Sequence, residues 1–257
     1  MSLLELKGIG KSFGGLAALR GVNLSIEKDE IVGLIGPNGA GKTTMFNVIS
    51  GVFRPSVGTI LYSGRNITRW PMHRIASHGL VRTFQQTELF MEMSALQNVR
   101  VGQHVHHKFR ADDVGKTRKQ NRHDTSAREL VEFVGLGQFA DELAENLPHG
   151  HRRALGIAIA LAASPQLLLL DEPLTGMDAS ETLEMVEIIK RIRSLGTTIM
   201  IVEHNMRAVM RCCDRIADLN FGQKIAEGAP KEIQNNPEVI DAYLGVDETI
   251  HGLSDNE

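Results

Sequence analysis

The stretch that most constrains this chain is Gly36, Pro37, Asn38, Gly39, Ala40, Gly41, Lys42, Thr43 and Thr44. It follows the apolar run 31–35 and precedes 45–49, which closes at Ser50-Gly51. That order predicts a buried strand, a glycine-rich turn and a short helix. The spacing matches G-x-x-x-x-G-K-[ST], and the chemistry explains the spacing. Glycines at 36, 39 and 41 let the backbone adopt dihedrals that a Cβ would block, so successive N–H groups can converge on phosphate oxygens. The helix start adds a partial positive charge beneath the same anions. Lys42 is placed to reach the β- and γ-phosphates, and the Thr43 hydroxyl to ligate Mg2+. The stretch predicts a nucleoside triphosphate site.

A second stretch supplies the opposite charge. Leu167 to Leu170 reads as a buried strand that runs into Asp171 and Glu172, and acidic strand ends of this kind sit at the mouth of a parallel sheet. Asp171 is the candidate to hold Mg2+ through water, and Glu172 the candidate general base for an attacking water. The last core strand is expected at 197–202, delivering Glu203 and His204 to the same edge; His204 is suited to bond a γ-phosphate or to orient Glu172. Gln85 ends a short strand, where its amide is either solvated or aimed at the metal and the attacking water. Asp178 with Glu181 forms a D-x-x-E pattern that predicts a helix cap.

Elsewhere the pattern is plainer. Residues 3–30 alternate as a strand pair turning through Phe13-Gly14-Gly15; Phe13 is either a half-buried aromatic or a platform for a base. From 89 to 155 the texture becomes helical around a charged stretch, 108–128, with His104, His106 and His107 at its edge read as solvated rather than metal-binding. Arg152 and Arg153 sit in the first turn of the next helix, against its dipole, which suits either an anion site or a solvated helix start. Cys212 and Cys213 fall in an apolar helical pattern and predict packing, not chemistry. Residues 215–227 read as a hairpin around Gly222, followed by one or two short helices. The formal charge of −3 excludes a strongly basic nucleic-acid surface. With no signal-peptide pattern and no apolar run near the roughly 20 residues of a membrane span, a soluble intracellular chain, at most peripheral to a membrane, is expected.

The ordered set of Phe13, glycine-rich turn, Gln85, helical insert, Leu147-to-His151 loop, Asp171-Glu172, Asp178 and His204 resembles the ATP-binding cassette (ABC) ATPases over nearly the whole chain. Val81 to Gln85 and the ending from Ile225 to Gly245 are similar to the ATPase subunits of branched-chain amino acid importers. The resemblance implies an α/β P-loop core with an N-terminal antiparallel β subdomain and an inserted helical subdomain. The core would comprise 1–88 and 156–245, the helical subdomain 89–155 and a loose tail 246–257. It implies Mg-dependent ATP hydrolysis, with Phe13 stacking on adenine, Gln85 sensing the γ-phosphate and Mg2+, His204 at the switch position and Asp178 at a dimer interface. Leu147, Pro148, His149, Gly150 and His151 occupy the signature loop, usually Leu-Ser-Gly-Gly-Gln, that binds ATP held by the opposite subunit. Pro148 brings neither hydroxyl nor N–H to it.

The implied partners are a second, non-identical ATPase subunit, transmembrane permeases with a helix received near 85–90 and, indirectly, an extracytoplasmic solute-binding protein. Nucleic acid is not among them. The implied location is the cytoplasmic face of the cytoplasmic membrane. Competing readings are the ATPase of a lipid or lipopolysaccharide exporter, a soluble ABC ATPase acting on DNA or ribosomes, and a nucleotide-binding regulator without turnover.

Overall fold

In a computed structural model of the chain, residues 2–83, 89–109 and 127–247 are described. In chain order the elements begin with β1 (Leu4–Phe13), β2 (Leu16–Ile26), β3 (Ile31–Ile35), α1 (Lys42–Ile49), β4 (Val57–Tyr62) and β5 (Arg65–Asn66). Then come α2 (Met72–Ser77), β6 (Leu80–Arg82), α3 (Ala95–Phe109), α4 (Ala127–Phe133), α5 (His149–Ala162), β7 (Leu167–Asp171), α6 (Ala179–Ser194) and β8 (Thr198–Val202). The chain closes with α7 (Met206–Cys212), β9 (Arg215–Asn220), β10 (Gln223–Gly228), α8 (Pro230–Gln234) and α9 (Pro237–Asp247). Two compact units result, one of residues 1–70 with 200–257, the other of residues 71–199.

In the first unit β1 is flanked by β2 and β4, both antiparallel, and β5 extends the ribbon from β4. The alternation of β1 decides its register, since Leu4, Leu6 and Ile9 go inward while Lys7 stays outside. β3 has no such alternation and all five residues are buried, as a strand covered on both faces requires. It pairs in parallel with β9, from Val32↔Arg215 to Ile35↔Asp218. The hairpin expected at 215–227 therefore does more than close the chain: β9, buried from Ile216 to Leu219, is a core strand, and 197–202 is not the last of them. Arg215 at its start and Asp218 within it disguise the strand in the sequence. Cys212 and Cys213 are buried and in no disulfide, and the Sγ–Sγ contact of 3.7 Å together with burial pushes the Cys213 thiol well up, so it stays protonated packing material.

In the second unit β6 and β7 pair in parallel, Leu80↔Leu167 to Arg82↔Leu169, and β7 is wholly buried. The helical residues expected between 89 and 155 lie within this unit. Asn98 organises their start. Fully buried on α3, it accepts from Phe90 N–H and donates to the carbonyls of Phe90, Met93 and Ser94, so one amide satisfies an irregular segment that has no ladder of its own. α6 starts on a true capping box: Asp178 accepts from Glu181 N–H while Glu181 accepts from Asp178 N–H. No helix among the described residues is long and apolar enough to cross a membrane.

Candidate active site: a phosphate cradle and an acidic strand end

The cradle belongs to the first unit. β3 delivers Gly36 with φ at 144°, and a Cβ there would lie 2.1 Å from the Leu219 carbonyl oxygen of β9, so only glycine lets the loop leave the sheet at this point. Gly39 (φ 81°) and Gly41 (φ 108°, capping α1) continue the left-handed turn. Ala40 is buried, Asn38 and Gly39 are exposed, and Pro37 accepts from Ala40 N–H at 3.1 Å. Lys42 is 6% exposed; its Nζ donates to the carbonyls of Gly36 (2.6 Å) and Pro37 (2.9 Å), which places the ammonium inside the loop. Thr43 is exposed and Thr44 half-buried. From far along the chain, Tyr243 of α9 accepts a hydrogen bond from Gly36 N–H at 2.8 Å, pinning the first residue of the loop.

Phe13 ends β1 at 41% exposure, with its ring edge-on to Phe53 at 5.2 Å and the Lys11 ammonium 4.8 Å from its centroid. It is therefore held in place by a second aromatic that the sequence did not single out, while keeping a free surface. His204 follows β8 and is exposed; its N–H donates to the buried carboxylate of Glu203.

The acidic strand end belongs to the second unit. Asp171 ends β7 at 1% exposure, and Arg82 of β6 donates to its Oδ2 at 2.7 Å. Its other oxygen, Oδ1, is buried with no hydrogen-bond partner among the described residues. A buried, orphaned carboxylate oxygen on a fixed strand end fits the role of acceptor for a metal-bound water. Glu172 is half-buried with φ at +49°, a left-handed conformation that a glutamate adopts only when its surroundings impose it. Gln85 lies outside the described residues.

The loop at 147–151 is built onto α6. Leu147 is buried, Pro148 precedes α5, and His149 reaches the Thr175 carbonyl with Nε2 at 3.3 Å. A Cβ on Gly150 would lie 2.6 Å from Oε1 of Glu181, the same carboxylate that closes the Asp178 cap. His151 packs on Phe139 with 4.7 Å between centroids. Arg152 does not present itself to an anion: it donates to the carbonyls of Leu147 and Glu145, fixing the loop from within. Arg82, Asn98, Phe53, Asp218 and Tyr243 escaped the sequence reading: Asn98 serves an irregular segment a few residues upstream that has no periodic signal, and the others acquire their surroundings from residues distant along the chain. Among the described residues no group of three or more His, Cys, Asp or Glu side chains forms a metal cluster, and the side chains of His104, His106 and His107 lie outside the description.

A cradle of backbone N–H groups with an inward lysine, and a buried aspartate followed by a strained glutamate, together define a P-loop nucleotide hydrolase. The profile of the ABC transporter family matches residues 19–175, and that of the branched-chain amino acid ATP-binding cassette transporters matches residues 223–249. The chain is 42% identical over 251 residues to the high-affinity branched-chain amino acid transport ATP-binding protein BraF of Pseudomonas aeruginosa, covering 95% of this chain and 98% of the relative. It is 43% identical over 249 residues to the LivG protein of the same description from Escherichia coli, with the same coverage. Among solved structures, the ADP conformation of an ATP-binding cassette of an ABC transporter superposes with a TM-score of 0.83 at 28% identity, covering 95% of this chain and 99% of that one. The chain belongs to the ABC transporter family and is one of its ATP-hydrolysing subunits.

Proposed function

We propose that this chain energises import of branched-chain amino acids across the cytoplasmic membrane, working from its cytoplasmic face with transmembrane permeases and a second, non-identical ATPase subunit. The observation that carries this is the family-specific ending at 223–249, which reaches back through Tyr243 to the phosphate cradle. The lipid or lipopolysaccharide exporter reading is not favoured by that ending, and no observation favours a soluble or non-hydrolysing role. An extracytoplasmic binding protein would choose the solute.

In this reading Gly36 to Thr44 hold the triphosphate, Lys42 leaves its two carbonyls for the β- and γ-phosphates, and Phe13 stacks on adenine. Bound Mg2+ would neutralise charge on the phosphate oxygens, with Thr43, Gln85 and, through water, Asp171 as its ligands. Glu172 takes the proton of the attacking water as general base, and His204 and Gln85 hold that water and the γ-phosphate in line. Residues 89–155 act as the helical subdomain, with 1–88 and 156–245 as the nucleotide core and 246–257 as a tail. Leu147 to His151 and Asp178 complete the partner's ATP site across a dimer, so that ATP binds the closed pair preferentially and shifts its population. Exposed Phe90, Met91, Met93 and Leu143 offer an apolar surface for a permease helix, with Met93 joined to the 143–144 segment by Ala144 N–H.

Pro148 removes a hydroxyl and an N–H from the loop, and His151 stands where the usual loop has Gln, which makes the site they complete the weaker of two. Restoring them as Pro148→Ser and His151→Gln should raise ATPase rate in the assembled complex about tenfold or more, since one preorganised donor is worth roughly 10²–10³ in rate. The function itself is tested by reconstituting the chain with its permeases in vesicles. ATP-dependent uptake of leucine that disappears with Glu172→Gln is expected, and uptake indifferent to that change would refute the assignment.

A further inference from the structure

Asp218 has no part in the reaction just described, yet it stands beside the cradle. It lies level with Ile35, the last residue of β3, and the carbonyl of the next residue, Leu219, abuts Gly36. The side chain is 0% exposed, and neither carboxylate oxygen has a hydrogen-bond partner among the described residues. Its charge is felt by Lys42 at the start of α1 and by Tyr243 of α9, the residue that holds Gly36. The other elements around β9 add no compensating charge. β3 carries no ionisable side chain; Glu227 of β10 is paired with Lys224 and with Arg215; Arg207 and Arg211 of α7, Lys231 and Glu232 of α8, and Glu238 and Asp241 of α9 are exposed.

We propose that Asp218 couples nucleotide binding to proton uptake: while the cradle is empty the Lys42 charge compensates the buried carboxylate, and when a polyphosphate engages Lys42 the carboxylate takes a proton from solvent. The inference rests on the ATP-binding reading and adds a linkage to it. An extra negative charge about 8 Å away, at an effective dielectric of about 20, raises the proton affinity of a carboxylate roughly 30-fold. Burial already pushes Asp218 up to about 7, with Lys42 opposing, so the change falls in the physiological range. Tyr243, pushed up by burial and by Asp218, stays a neutral phenol throughout and cannot supply the proton. Binding thus draws the proton from bulk water, and affinity falls as pH rises through 7.

The test is calorimetric titration of the full chain with ADP at saturating Mg2+, which keeps the nucleotide's own phosphate deprotonated, in buffers of different ionisation enthalpy. At pH 7 the wild type should take up about half a proton per nucleotide, and its Kd should weaken about five- to tenfold from pH 6 to pH 8. Asp218→Asn should bind with no uptake and a flat profile, and Asp218→Val, suited to a buried strand, should do the same. Unchanged uptake in either variant, or none in the wild type, would overturn the proposal. Failure to bind Mg·ADP at any pH would overturn the nucleotide reading beneath it.

Discussion

The two units hold their key charges by different means. In the cradle, the Lys42 ammonium rests on two neutral carbonyls, and the Asp218 carboxylate makes no hydrogen bond among the described residues. On the acidic side, Asp171 is locked to Arg82 by a charged hydrogen bond of 2.7 Å, with one oxygen left over. Carbonyl acceptors are readily exchanged for phosphate oxygens, whereas a buried ion pair is costly to break. The cradle is thus arranged to let its cation move, and the acidic strand end to keep its anion still. A hydrolase needs both, because the γ-phosphate arrives and leaves while the water-activating geometry has to be ready beforehand.

The comparison can be broken from either side. Glu172→Gln should lower turnover by roughly 10²–10⁴ while fluorescent-nucleotide affinity stays near that of the wild type, since only the proton acceptor is lost; unaltered turnover would remove the general-base assignment. Next in size, Arg82→Met leaves Asp171 buried without its cation, and urea unfolding should show a loss of about 3–5 kcal/mol. A neutral result would mean that the anion is not held still by this pair.

Asp218→Asn sharpens the contrast on the cradle side. A carboxyl whose folded pKa is raised destabilises the native state as pH climbs from the unfolded value toward about 7, so the stability advantage of the amide, already present at pH 5, should grow by about 1–3 kcal/mol between pH 5 and pH 8. Equal thermal shifts at both pH values would contradict it. The smallest effect belongs to Asp178→Ala, which removes one half of the α6 cap and should cost about 0.5–2 kcal/mol in the same unfolding assay.

What was legible in the sequence was local. The cradle, the β1–β2 hairpin, the buried strand ending at Asp171 and the Asp178–Glu181 box each declare themselves within a few residues, because a turn, a period or a cap is a short-range constraint. The charge arrangement was not legible. Arg82 meets Asp171 across 89 positions and Tyr243 meets Gly36 across 207, and neither pairing leaves a local trace. Asp218 escaped for a physical reason: nothing local marks a strand carboxylate as buried, and only the parallel pairing of β9 with β3 places it inside.

The shared carboxylate of Glu181 has a mechanical consequence. Because it closes the start of α6 and also lies against the Cα of Gly150 at the start of α5, the two helix beginnings are geared together. A methyl group on residue 150 would have to push that carboxylate aside, and with it the bond that closes the start of α6.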